Sequence, residues 1–327
     1  MQTLISKIKN YIHPFLNIGE NLDNRLKLMK ALSAYLTKSK PCLSQHIINN
    51  KTYLTLSDKD DKPLVIFKKK LGQGEGGVAY IVSGSGFGRL FKFSIKIIDS
   101  SYIESELEVK ILLHLTESVQ TNYFPNFPIT YKVLTCSIPC KLTKCPELTK
   151  ENEYYIIINE LAKMDLEKWL TKSHSEVEYE SIIMQSILSI YFFHQLGYIH
   201  KDLHEGNILL HKTTPGGFWH YMIGDKNIFI PNIGYLIVLW DFGEAEVISN
   251  ESVYQKDKEY NILNEYKIIY ILFDYYNKKF AKYIQKKIKE KVSEDVFIDF
   301  LLELPYNFIT KTNSGLLCNK KPYKINR

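Results

Sequence analysis

With 327 residues, 45% of them hydrophobic and 24% charged, the chain has the make-up of a folded globular protein of one large two-lobed domain or two ordinary ones. The net charge of +6 is modest and its basic residues are scattered except at 68–70, 286–287 and 320–327, which hint at an acidic partner but read more plainly as solvated surface lysines; no nucleic-acid module is seen. No apolar run approaches the ~18 residues of a membrane span and residues 1–11 lack a secretory core, so no membrane association and an intracellular, cytoplasmic location are expected.

Five cysteines without an export signal read as reduced thiols. Cys136, Cys140 and Cys145 lack the paired short spacing of structural zinc.

In chain order, apolar residues recur at helical spacing from Leu4 to Leu36, broken at Pro14 and Gly19, which predicts a helical N-terminal extension over 1–60. After Pro41 the pattern shortens to strand-like runs at 52–56, 64–67, 80–82 and 90–98, which predicts a small antiparallel sheet. Ser100 or Ser101 can cap a helix reaching Leu115, and Tyr154 to Asn159 reads as a further strand. A strongly periodic helix follows from Glu178 to Gln195, with Gly197 at its C-terminal cap. Strands first and helices later make an α+β protein with a sheet lobe and a helical lobe.

Five motifs carry chemistry. Leu71-Gly72-Gln73-Gly74-Glu75-Gly76-Gly77 contains G-x-G-x-x-G, whose glycines let backbone N–H groups approach phosphate oxygens. A strand follows it, not a helix, which argues against a dinucleotide fold. Lys96 sits inside the apolar run Phe93-Ser94-Ile95-Lys96-Ile97-Ile98, where an unpaired charge would be costly, so it should meet an anion; an outward lysine on an edge strand is the plainer alternative. Glu104 and Glu108 share a helix face at i, i+4 and compete to hold it. His200-Lys201-Asp202-Leu203-His204-Glu205-Gly206-Asn207 places an Asp able to accept a hydroxyl proton five positions before an Asn able to hold a metal. The apolar run 236–240 then delivers Asp241-Phe242-Gly243 into a turn.

In this order, across about residues 65–275, the motifs resemble the protein-kinase catalytic core, with Lys201 standing for the usual Arg of H-R-D-L-x-x-x-N. The resemblance implies a two-lobed fold: sheet lobe 61–162, then a reduced, mainly helical lobe 163–327. It implies that Gly72, Gly74 and Gly77 cover the phosphates of ATP and that Lys96 binds them with Glu108 as partner. Asp202 would be the catalytic base, and Asn207 and Asp241 would hold Mg2+ or Mn2+. Backbone groups of Glu160 and Ala162 would meet the adenine, and Asp165 the ribose.

The chain departs from the pattern in three places. His204 stands where serine/threonine kinases carry lysine; D-L-H-x-x-N is similar to haspin-type kinases and to small-molecule kinases of the aminoglycoside and choline type. An insert at about 211–235 reads as a β-hairpin, and its Pro231-Asn232-Ile233-Gly234-Tyr235 is similar to protein kinases of large DNA viruses, whose setting would be host cytoplasm or virion; a surface loop is the alternative. No A-P-E follows Gly243, and 256–280 reads as a helix. The resemblance therefore implies a compact serine/threonine protein kinase acting on a protein hydroxyl. A small-molecule phosphotransferase and a partner-binding pseudokinase are the alternatives.

Overall fold

The computed structural model describes residues 22–74, 77–84, 92–122, 124–137, 148, 152–248, 262–290, 292–303 and 322–325. They fall into two compact units, one holding 23–116 and 128–161, the other 117–127 and the chain from Ala162 onward.

The first unit opens on α1 (Leu22–Ser39), whose buried stripe of Leu28, Met29, Leu32, Tyr35 and Leu36 repeats every three or four residues. Arg25 occupies the same stripe and is 1% exposed. The helix ends where Lys40 turns left-handed, at φ 42, and donates its N–H to the Leu36 carbonyl. The stretch 1–21 of the expected extension lies outside the described residues.

Two strands follow within the part read as extension. β1 (Cys42–Ile48) and β2 (Lys51–Ser57) form a hairpin closed by Asn49 and Asn50, both at positive φ, the requirement of a two-residue type I′ turn. β3 (Pro63–Gly74), β4 (Gly77–Gly84) and β5 (Lys92–Asp99) continue the meander, and α2 (Ile103–Thr121) leads to β6 (Thr130–Ser137) and β7 (Glu153–Asn159). The order is β1-β2-β3-β4-β5-β7-β6, antiparallel throughout. The sheet begins at Cys42: the strand-like run read at 52–56 falls within β2, and β1 before it carries too little apolar alternation to stand out.

β1 and β6 end that order, yet Cys42 and Cys136 are joined by a disulfide with Cα atoms 5.6 Å apart. The sheet curls until its two outer strands meet. The expectation of uniformly reduced thiols fails at this pair, because curl brings together cysteines separated by 94 positions and no local pattern encodes it. Cys140 and Cys145 lie outside the described residues.

The second unit is built around α4 (Glu176–Gln195), buried continuously from Ser181 to His194. Ser175 and Glu178 form a reciprocal capping box at its start, and Gly197, at φ 86, turns the chain away after it. β8 (Met164–Asp165) precedes the short α3 (Leu166–Leu170); β9 (Tyr198–Ile199) and a 3-10 turn (Glu205–Asn207) precede β10 (Ile208–Lys212). β10 pairs with both β8 and β13 (Tyr235–Leu239).

Between β10 and β13, β11 (Phe218–Ile223) and β12 (Lys226–Pro231) pair antiparallel across Gly224 and Asp225. Trp219, Tyr221, Ile223 and Ile230 are buried, and Tyr221 donates its hydroxyl to Asn126 Oδ1, so this hairpin is part of the core and not a surface loop. Asn232 ties its base: Oδ1 accepts from Thr213 Oγ1 and the Gly234 N–H, and Nδ2 donates to the Thr214 and Gly216 carbonyls. Short β14 (Glu246–Val247) pairs with β9, and β15 (Tyr323–Ile325) adds in parallel to β11.

α5 (Lys267–Tyr276), α6 (Lys278–Lys289) and α7 (Glu294–Glu303) complete the unit. The helix read over 256–280 breaks at Asn277, whose side chain caps α6; 256–261 lie outside the described residues. Among the described residues no helix is long and apolar enough to cross a membrane.

Candidate active site

The sequence-predicted residues divide between the units. In the first, β3 and β4 pair through Gly74 and Gly77, and Gly72 lies two residues before Gly74. Gly72 and Gly74 have no atom within 4 Å of where a Cβ would stand, whereas Gly77, at φ +125, presses against the Ile97 carbonyl oxygen. The first two leave open space over the backbone and the third is a packing glycine. Glu75 and Gly76 lie outside the described residues.

Lys96 lies on β5 between Ala79 of β4 and Ile157 of β7, so it stands on an interior strand of the sheet and not on an edge. Its ammonium donates to both carboxylate oxygens of Glu108, at 2.7 Å and 3.0 Å. Both side chains are buried, while Glu104, the other candidate partner, is exposed. The buried ammonium thus has a carboxylate against it, as a charge in that place requires.

Glu160 directly follows β7, with its backbone engaged. Its N–H donates to the Ile129 carbonyl and its own carbonyl accepts from Ser94 Oγ. Its carboxylate meets Arg25 and the Ile129 N–H.

In the second unit Ala162 lies in coil before β8. Asp165, expected at the ribose, uses Oδ1 to accept the Lys168 N–H and so caps α3.

Asp202 has an exposed carboxylate. Asn207 is buried behind it: Nδ2 donates to the Asp202 carbonyl at 2.9 Å and to Oδ2 at 3.3 Å. The Asn207 carbonyl accepts the Trp240 N–H at 2.9 Å, so pairing of β10 with β13 carries Asp241 to Asn207. Asp241 adopts the left-handed region at φ 62. Phe242 is buried against Phe193 and His200, and His200 Nε2 bonds the Trp240 carbonyl. The loop and the strand end are thus fastened from both sides.

His204 accepts the Gly206 N–H on Nδ1, which puts the proton of the neutral ring on Nε2, 3.8 Å from Asp202 Oδ2. The oxygen donors a magnesium ion prefers are present as the Asp241 carboxylate and the Asn207 amide oxygen, whose nitrogen is already occupied. Among the described residues no cluster of three or more His, Cys, Asp or Glu side chains that could hold a metal ion is present.

Sequence reasoning missed the support beneath the loop. Lys201, itself at φ 69, donates its backbone N–H to Glu265 Oε1. Glu265 Oε2 meets His194 Nε2 at 2.7 Å, and His194 Nδ1 meets Glu294 Oε1 at 2.5 Å. Burial opposes charge on His194, but Glu294 and Glu265 more than offset it and hold its pKa up to about 9. The imidazolium is therefore a buried cation between two carboxylates, one of which holds the backbone beside Asp202. His194 stood in the predicted helix stripe; nothing local pointed to partners 71 and 100 positions away.

No protein-family model matches the chain. It is similar to a putative serine/threonine-protein kinase of Frog virus 3 (isolate Goorha), 30% identical over 146 residues, which cover 43% of this chain and 17% of that protein. It also resembles an uncharacterized protein of Invertebrate iridescent virus 3, 24% identical over 147 residues, 40% of this chain and 19% of that one. A probable serine/threonine-protein kinase of Dictyostelium discoideum is 26% identical over 202 residues, 59% of this chain and 36% of that one. The chain thus spans well under half the length of the relatives it matches. With an α+β fold and a curled antiparallel sheet in its first half, it is a distant, kinase-like relative of proteins named as serine/threonine kinases.

Proposed function

We propose that the chain is an ATP-dependent phosphotransferase, and specifically a serine/threonine protein kinase that passes the γ-phosphate of ATP to a protein hydroxyl. The observation that carries the reading is the second-unit loop, in which Asn207 bonds Asp202 through its amide nitrogen and receives the Trp240 N–H on its backbone carbonyl. The exposed Asp202 carboxylate, the Asn207 amide oxygen and the Asp241 carboxylate would, in this reading, act from one fastened frame.

In this reading Asp202 accepts the proton of the attacking hydroxyl, the new O–P bond forms, and the β–γ bridging bond breaks to release ADP. Lys96, paired with Glu108, binds α- and β-phosphate oxygens, and the open backbone at Gly72 and Gly74 leaves room for phosphates. Asn207 and Asp241 would hold Mg2+ or Mn2+, which neutralises charge on the phosphate oxygens. Backbone groups of Glu160 and Ala162 would take the adenine. Asp165 keeps one carboxylate oxygen beyond its capping bond for a ribose hydroxyl.

His204 supports a second reading, a small-molecule phosphotransferase, because its ring is committed to the Gly206 cap beside Asp202 and no lysine occupies that place. The deciding experiment offers labelled Mg-ATP to the wild type and to Asp202→Ala, with a basic protein, a peptide mixture, and amino-alcohol and aminoglycoside acceptors. Label on serine or threonine of protein, from the wild type alone, supports the kinase. Label on a small molecule supports the second reading, and nucleotide binding without transfer replaces both with a binding module.

A further inference from the structure

Arg25 lies outside every motif of the catalytic resemblance, yet it is among the most deeply buried polar residues of the protein. Its Nε donates to Glu160 Oε2 at 3.0 Å and a terminal nitrogen donates to Oε1, the two-pronged arrangement that fixes a carboxylate in both position and plane. Glu160 Oε1 also accepts the Ile129 N–H at 2.9 Å. With its N–H on the Ile129 carbonyl and its carbonyl on Ser94 Oγ, Glu160 has every polar group engaged. Asn159, just before it, is held on one side only: Oδ1 accepts from Thr130 Oγ1 at 2.7 Å, while its buried Nδ2 has no hydrogen-bond partner.

A carboxylate 4% exposed stays ionised only with a cation docked against it. α1 brings that cation, on a stripe whose apolar residues seat the helix in the first unit. If the guanidinium is removed, Glu160 must take a proton or leave its site, and in leaving it moves the backbone of 159–161. A displacement of about 1 Å takes a hydrogen-bonding group out of the roughly 2.7–3.2 Å range in which it can hold a ligand.

We propose that Arg25 is a positioning residue for the end of β7 that takes the adenine, so that α1 sets nucleotide affinity from outside the catalytic motifs. The inference rests on the nucleotide reading above. The Glu160 carbonyl accepts from Ser94 Oγ at 2.9 Å, and Arg25, by fixing the side chain of the same residue, governs where that carbonyl lies.

The test uses the full chain as wild type, Arg25→Met, Arg25→Lys and the double variant Arg25→Met with Glu160→Gln, which removes the stranded charge and keeps the fold. Steady-state KM for ATP, kcat, the Kd of a fluorescent ATP analogue and Tm are measured for each. Arg25→Met and the double variant should raise KM and Kd about tenfold at near wild-type kcat, with Arg25→Lys recovering part of the loss. A merely structural role lowers Tm and the active fraction and leaves KM alone. Wild-type KM and Kd in the folded double variant would overturn the inference while leaving the nucleotide reading intact. A wild type that binds no nucleotide overturns both.

Discussion

Lys96 and Glu108 meet through both carboxylate oxygens, at 2.7 Å and 3.0 Å, with neither side chain open to solvent. Removing one partner strands the other, at a cost of about 3–5 kcal/mol. Lys96→Met should therefore lose both nucleotide-dependent turnover and stability in urea. Lys96→Met with Glu108→Leu should recover most of the stability and none of the turnover. Full turnover in the stable double variant would remove the lysine from the mechanism.

Asp241 should separate fold from activity more cleanly. Its φ of 62 is a conformation Asn adopts nearly as readily as Asp. Asp241→Asn should melt within a few degrees of the wild type and transfer no phosphate, as followed by calorimetry and label transfer. Wild-type turnover would withdraw the metal assignment.

The glycines should part company. A Cβ at Gly77 would stand 2.2 Å from the Ile97 carbonyl oxygen, so Gly77→Ala should destabilise the protein by more than about 1 kcal/mol and loosen the β4–β5 pairing. At Gly72 there is open space, so Gly72→Ala should leave Tm in place and raise only KM for ATP. Equal losses of Tm in both variants would contradict this division.

His194 makes stability depend on pH. Its folded pKa of about 9 lies above the ordinary 6.5, so the contribution is full below 6.5 and disappears as pH rises through about 9. The shift corresponds to about 3 kcal/mol. Unfolding free energy measured from pH 6 to 10 should fall across that window, and His194→Gln should flatten the curve. Parallel curves for variant and wild type would exclude the imidazolium as its source.

The motifs were legible because each sits in a short window. Glycines before a strand, Asp202 with Asn207, and an apolar run before Asp241 need no knowledge of distant chain. The helix carrying Glu104 and Glu108 was legible as well, but its rotation was not, and only the buried face of α2 selects Glu108. The remainder depends on tertiary closure. Glu265 and Glu294 reach His194 across a loop and a helix, and Cys42 reaches Cys136 around the sheet. Arg25 left a trace, a charge at a core position of a helical stripe. Such a charge implies a buried counterion but does not say which.

The strand order sets the timing of assembly. β1 through β5 pair in sequence and can zip together as they leave the ribosome, but the outer side of β5 belongs to β7, which follows α2 and β6. Until then a row of unsatisfied backbone groups on β5, with Lys96 in its midst, faces outward and invites pairing with other chains. Closing it requires long-range contacts, the slow kind. Early truncation between β5 and β7 should therefore give an aggregating product, and a shielded one only once Glu160 has been made and Arg25 can seat on it.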